Sequence, residues 1–238
     1  MKKHLKRLAI PKAWKIPRKI VKFAPKPRGP HPSDRSIPLL IIIRDILKIT
    51  RNSDETKKIL KRGEVLVDFK IRKDPKFGVG LFDILSIPKL ALNYRVILNR
   101  KGRISLIKID ASENTKICKI IGKRTIPKNK IQLNLHDGRS ILTNDNKYKV
   151  GDSLLISLPN QEIKQHLKFV EGSKVFVASG RHIGTIAVIE KIIPPKDTVP
   201  ARVILRSDAG KIFETSKEYV YVIGTDKPMI NLVGEYIE

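Results

Sequence analysis

Up to residue 36 apolar side chains occur mostly as isolated anchors: Leu5, Leu8, Trp14, Ile16 and Phe23 are set among Lys and Arg. Pro11, Pro17, Pro25, Pro27, Pro30 and Pro32 interrupt the same stretch. Each proline removes a backbone donor and biases its predecessor toward extended geometry, which predicts an extended arm without a sustained helix. From Ser36 the apolar positions cluster. Ile37, Leu40 and Ile41 with Arg44, Asp45 and Lys48 predict an amphipathic helix capped by Ser36. A second helix is predicted from a Ser53 cap to about Arg62, with Asp54 and Lys58 spaced for an ion pair. Gly63 is placed to end it in the left-handed region. Val65, Leu66 and Val67, a turn at Asp68 and Phe69, and a strand around Ile71 then complete a helix–helix–hairpin unit.

Beyond about Tyr94 the spacing turns to short β segments. Residues 94–98 and 103–109 flank Asn99-Arg100-Lys101-Gly102, a hairpin signal. Further strands are predicted near 118–121, 131–135, 140–142 and 154–158, with a hinge at Pro159 and Asn160. A second set of five is predicted at 174–178, 185–193, 201–205, 211–214 and 219–223, compact enough for an SH3-like barrel. The expected architecture is α+β and multidomain: a basic arm (1–36), a two-helix-plus-hairpin module (37–92), a small central β domain (93–168) and a C-terminal SH3-like β-barrel (169–238).

Charge decides what such a chain can bind. Among 238 residues, 49 Lys+Arg against 23 Asp+Glu leave a net +26. The excess is graded: +11 over residues 1–36, +9 over 37–110, +7 over 111–200 and −1 over 201–238. A field of this size attracts polyanions, and its gradient places most of the anion binding at the front of the chain. A membrane surface is the weaker partner, because prolines break the long amphipathic helix it would select. No apolar run approaches the ~20 residues needed to span a bilayer, and the basic N-terminus lacks the apolar stretch of a secretory signal. One cysteine, Cys118, excludes an intrachain disulfide framework and a cysteine-rich zinc site.

Catalytic signals are lacking. His4, His31, His136, His166 and His182 fall in separate segments without metal-ligand spacing, and no phosphate loop, dinucleotide fingerprint or nucleophile elbow occurs. Cys118 sits in a predicted strand, where a buried inert thiol outweighs a nucleophile. No catalytic residue, metal or cofactor is therefore expected. The arm offers Lys2, Lys3, Lys6, Arg7, Lys12, Lys15, Arg18, Lys19, Lys22, Lys26 and Arg28 to phosphates, with Trp14 to stack or dock. Deleting residues 1–30 is expected to weaken RNA binding strongly and leave the folded core intact. The module gathers Arg44, Lys48, Lys57, Lys58, Lys61, Arg62, Lys70, Arg72 and Lys73, which could read an RNA groove or form a solvated face. Near the barrel, Gly180 and Gly184 bracket Arg181 and His182 on a loop, with Lys174 in the strand before it. Glycines there permit positive φ, and an arginine can donate a forked pair of hydrogen bonds to phosphate.

Particular blocks carry a family likeness. KKHLKRLAIPKAW and PHPSDRSIPL resemble the N-terminus of the archaeal and eukaryotic small-subunit ribosomal protein family S-four-e. Residues 37–87, ending FGVGLFDILSI, resemble its S-four-type RNA-binding domain, and FVEGSKVFVASGRHIGTIAVIEKI resembles its KOW motif. Lys101-Gly102-Arg103 and Ile117-Cys118-Lys119 resemble parts of its central β domain. Phe69 stands where the family has a small turn residue, and Asp54 where basic residues are common, which shifts emphasis to Lys57, Lys58 and Lys61. The resemblance implies a non-enzymatic, cytoplasmic component of the small ribosomal subunit. Its partners would be small-subunit ribosomal RNA and neighbouring ribosomal proteins, with no membrane association and no stable homo-oligomer. The readings from other classes are an RNA-modifying enzyme, separable by a uridine-isomerisation assay, and a transcription-associated protein, separable by co-purification with RNA polymerase.

Overall fold

The computed structural model describes residues 4–127, 130–225, 227–232 and 236–237. Lys2 and Lys3 lie outside them. The chain is mostly β with few helices, so the helical share of the expected α+β architecture is small. It divides into two compact units: residues 1–99, 103–114 and 233–238 form the first, residues 100–102 and 115–232 the second. No described helix is long and apolar enough to cross a membrane, and no three described His, Cys, Asp or Glu side chains cluster as metal ligands.

The first unit begins with β1 (Leu5–Lys6) and β2 (Phe23–Ala24), paired antiparallel at the base of the arm. Strand β3 (Ile37–Pro38) leads into α1 (Leu39–Ile41), which widens into a π-helical turn over Ile42–Ile46. This differs from the expected amphipathic helix. Ile37 belongs to a strand, Ser36 caps nothing and donates its hydroxyl proton to the Pro32 carbonyl at 2.8 Å, and residues 39–43 are all buried. An apolar run of this density makes a helix buried all round, not one with a wet face. Helix α2 (Ser53–Lys61) follows with Asn52, not Ser53, as its N-cap; the Glu55 carboxylate accepts from the Arg51 N–H at 2.9 Å. Gly63 ends it at φ +76°, as expected.

A six-stranded sheet completes the unit. Its members are β4 (Leu66–Val67), β5 (Lys70–Ile71), β7 (Ile84–Ile87), β8 (Leu92–Leu98) and β9 (Ile104–Lys108), with β6 (Gly78–Val79) pairing separately with β3. The order is β20-β9-β8-β7-β4-β5, where β20 (Tyr236–Ile237) returns from the far end of the chain. Two expected boundaries move accordingly. Strands β8 and β9, assigned above to a central domain starting at 93, extend the first unit's sheet, and β20 leaves the expected barrel range.

The second unit holds two five-stranded antiparallel sheets. In the first, β10 (Thr115–Ile126), β11 (Lys130–Leu135), β12 (Ser140–Thr143), β13 (Ser153–Ser157) and β14 (Ile163–Leu167) are ordered β12-β11-β10-β13-β14. Pro159 and Asn160 form the turn between β13 and β14, so the expected hinge is a hairpin loop. Cys118, Ile120, Leu133, Leu135, Leu154 and Ile156 meet in its core. The other sheet contains β15 (Lys174–Val177), β16 (Ile186–Ile193), β17 (Arg202–Ser207), β18 (Ile212–Ser216) and β19 (Val220–Gly224), close to the five strands expected. Their order is β18-β17-β16-β15-β19.

Candidate nucleic-acid interface

The arm is tied down and does not hang free. Trp14 is 3% exposed, and its indole N–H donates to the Ser36 carbonyl at 2.8 Å. Stacking on a base is closed to it; it anchors the arm. Ile10, Ile16 and Ala24 are buried too, and the Ile104 N–H donates to the Ala13 carbonyl at 2.9 Å. Arg7 is also withdrawn, with its Nε donating to the Pro17 carbonyl. The expectation that the arm can be cut away without harm to the core is therefore corrected. What remains outward is cationic: Lys6, Lys12, Lys15, Arg18, Lys19, Lys22 and Arg28 are exposed and Lys26 half-buried.

Further along, Arg28 joins the protein backbone on both sides, donating to the Lys76 carbonyl at 2.8 Å and accepting from the Gly78 N–H at 2.7 Å. His31 is carried inward to Asp83, Nε2 to Oδ2 2.9 Å, and the Gly80 N–H donates to the same oxygen at 2.8 Å. Gly80 is needed for this approach, because a Cβ there would lie 2.5 Å from the His31 ring.

The module brings most of its expected residues to one junction. Helix α2 presents Lys57, Lys58 and Lys61 to solvent, and Arg62 follows at its C-terminus. Gly63 packs on Ile71, whose Cγ2 would sit 3.2 Å from an added Cβ, which sets the helix end beside β5 with Lys70. Asp68 and Phe69 both have positive φ, +51° and +59°, in the tight turn between β4 and β5. Asp68 is held there because its carboxylate accepts from the Ile84 N–H at 3.0 Å. Lys73 continues the exposed row, while half-buried Arg72 lies over the Phe77 ring at 4.4 Å from its centroid.

Not every cation is at liberty to bind. Asp54 pairs with Lys57 at 2.9 Å rather than with Lys58, and that hydrogen bond and charge hold its carboxyl below its ordinary value. Arg44 forks onto Asp45 (2.8 and 3.1 Å) and reaches the Ser53 hydroxyl at 2.7 Å. It reaches the start of α2, at the opposite end of that helix from the β5 contact, and exposed Lys48 has φ +53° in the loop before α2. Lys58, Lys61, Lys70 and Lys73 therefore carry the expectation best.

In the second unit Arg181 is exposed on the loop between β15 and β16, with Gly180 at φ +89° and Gly184 at φ +75°. His182 stacks on Phe213 of β18, centroids 4.1 Å apart and 25° from parallel. That contact leaves Arg181 as the projecting group. Lys174 is not part of this loop: it lies at the other end of β15, opposite Val188 and Gly224.

Other basic residues of this unit are buried. Lys116 and Lys119 are 1% and 7% exposed. Lys116 meets Asp137 at 2.9 Å, Arg139 reaches the same oxygen at 3.2 Å, and the Cys118 thiol donates to it at 3.4 Å. Burial alone would raise the Asp137 carboxyl, but the charges of Lys116, His136 and Arg139 with the Lys116 hydrogen bond hold it well below the usual carboxylate range. Lys119 Nζ donates to the carbonyls of Lys217, Glu218 and Val220 at 3.0, 2.9 and 2.9 Å. A residue outside the sequence expectations, half-buried Arg103 just before β9, lines a recess together with the arm's Lys12, Lys15 and Arg18; only its place after the Gly102 turn could have signalled it.

Residues 90–163 match the family described as Ribosomal family S4e, and residues 1–34 match the RS4NT (NUC023) domain. The chain is 47% identical over 240 residues to the small ribosomal subunit protein eS4 of Methanocaldococcus jannaschii, covering 97% of this chain and 98% of that protein. Identity to the protein of the same name from Methanothermobacter thermautotrophicus is 45% over 236 residues, with 98% and 97% covered. The crystal structure of the 30S ribosomal protein S4e from Thermoplasma acidophilum matches with a TM-score of 0.69 at 36% identity, over 81% of this chain and 97% of that one.

Proposed function

The chain belongs to the S4e family of ribosomal proteins, and from that premise we propose that it grips small-subunit ribosomal RNA mainly through its first unit. It is a structural constituent of the cytoplasmic small ribosomal subunit, in a family of ribosomal components and not of enzymes. Its partners there are ribosomal RNA and other ribosomal proteins. In our reading, Lys58, Lys61, Lys70 and Lys73 contact phosphates across one groove, and the tethered arm extends the contact through its outward lysines. Arg181 supplies a second, smaller contact from the β15–β16 loop, as a KOW-like element. In this assignment the arm (1–36) and the S4-type module (37–92) do most of the binding, with the β8–β9 hairpin completing their support.

The observation that carries this reading is the α2–β5 junction, where Gly63 against Ile71 sets exposed lysines from two elements side by side. Most of the binding free energy would then come from counterion release. The test is a filter-binding titration of the purified chain against small-subunit ribosomal RNA over a range of salt, alongside sedimentation with the subunit. The expected log–log slope is about −0.7 to −0.9 per phosphate contact. No binding at low ionic strength would overturn the proposal.

A further inference from the structure

The β1–β2 ribbon of the arm has two unlike faces. Leu5 and Ala24 lie opposite each other on the inner face, where Ala24 is buried, and Lys6 and Phe23 lie opposite each other on the outer one. Residues two apart in an extended chain share a face, so exposed His4 joins the outer pair. Its ring stands 5.6 Å from that of Phe23, centroid to centroid, and is tilted by 48°. Among the described residues Phe23 is the one exposed phenylalanine, with 51% of its surface open. Leu8, Ile20 and Val21 of the same segment are more exposed still. So many open apolar groups in one short stretch mark a surface that a partner covers. The ribbon is also fixed in place: the Arg7 N–H donates to the Lys22 carbonyl at 3.0 Å, and the Arg7 side chain is anchored on the Pro17 carbonyl.

Charge selects the occupant. Residues 1–33 contain no Asp or Glu, and Lys6, Lys19 and Lys22 are exposed. An apolar protein surface would desolvate these ammonium groups without pairing them. An unpaired nucleotide instead brings a flat aromatic base with a phosphate on either side. Lys22 Nζ lies 5.6 Å from the Phe23 centroid, near the outer limit of a cation–π contact, so a phosphate can draw it off the ring. We propose that the outer face of the β1–β2 ribbon is a stacking platform for one unpaired base of the RNA, with Phe23 as its floor, His4 as its flank, and Lys6 and Lys22 holding the adjoining phosphates. It takes the stacking role that burial denies to Trp14. The inference rests on the RNA-binding reading and deepens it: the arm meets a single-stranded stretch, whereas the α2–β5 junction meets a groove.

The test uses the full chain and an adenosine hexaribonucleotide carrying one 2-aminopurine, a base whose emission falls when it is stacked. The parent should quench it saturably, Phe23→Leu should not, and Phe23→Tyr should restore the quenching. Against small-subunit ribosomal RNA, Phe23→Leu should weaken binding about ten-fold with the log–log salt slope unchanged, because stacking releases no counterion. Lys6→Gln with Lys22→Gln should flatten that slope by roughly 1.4–1.8. Phe23→Leu should melt with the parent, and Ile212→Ala, at a similarly exposed apolar position of the second unit, should match the parent in both assays. A parent that binds ribosomal RNA while Phe23→Leu keeps its affinity would overturn the platform and spare the wider reading. If that variant instead released a neighbouring protein of the subunit, the face would be a protein contact. A loss of affinity carried by a shallower slope would also overturn it, making Phe23 a support for the lysines around it. A parent that quenches the oligonucleotide yet ignores ribosomal RNA would keep the platform as a single-strand site and sink the wider reading. Absence of both responses would sink both.

Discussion

In the first unit Lys58, Lys61, Lys70 and Lys73 stand in solvent, whereas in the second Lys116 and Lys119 are enclosed and spend their charge on Asp137 and on three backbone carbonyls. The same side chain is left in solvent in one region and is a structural fastener in the other. Strand geometry produces the difference. Along β10, Lys116 and Cys118 share one face and meet Asp137, while Lys119 projects to the opposite face and reaches carbonyls next to β19. Counting basic residues over 111–200 therefore overstates the charge that this stretch offers to RNA.

The comparison can be broken by substitutions that should affect folding in both units and binding in only one. Trp14→Ala should have the largest effect, destabilising the first unit by about 3–5 kcal/mol in denaturant titration, because it empties the wall on which the arm is packed. A variant as stable as the parent would return the arm to the status of a loose tail. Lys119→Met should cost the second unit about 2–4 kcal/mol by leaving three carbonyls without their donor, while ribosomal RNA affinity at permissive temperature stays unchanged. Loss of binding with no loss of stability would place Lys119 in the interface instead.

Acid sharpens the contrast. The Asp137 carboxyl is depressed in the folded chain, so its contribution is fully present above its ordinary value near 3.8 and is lost as pH falls through the folded value. Thermal melts of the parent should show the second unit weakening below about pH 4, and Asp137→Asn, less stable at neutral pH, should show a flatter acid limb. Identical limbs would remove Asp137 as the source. The smallest effect on folding belongs to Lys70→Gln with Lys73→Gln. Stability should change by less than about 0.5 kcal/mol, while the salt slope for RNA drops by about 1.4–1.8.

Period-two patterning made the five strands of the second unit's β15–β19 sheet legible, and turn chemistry located Gly63, the 68–69 turn and the 99–102 hairpin. Strand β14 escaped because Lys164, Gln165 and His166 carry no alternation; its place is set by the His166–Asp152 contact at 2.7 Å and by the Asp152 acceptance from the Phe169 N–H at 2.9 Å. Trp14 stayed open between stacking and docking because a lone aromatic among lysines looks the same whether it awaits RNA or, as here, is already buried against the folded chain. Lys119 illustrates the converse: nothing local distinguishes a lysine that will be walled in from one that will stay wet. The gathering of lysines at the α2–β5 junction was readable since all its members are local, whereas the place of Arg103 beside the arm required knowing where the arm returns.

Strand β20 lies antiparallel to β9, with Tyr236 opposite Ile107 and Ile237 opposite Leu106. During synthesis, β9 leaves the exit tunnel with one flank bare, and residues 109–235 must be made before its partner arrives. An uncovered flank of this kind is an invitation to pair with another chain. The first unit thus acquires its outermost strand only after the second unit has been made, so a product truncated before β20 would hold its cations in place yet keep a sticky border.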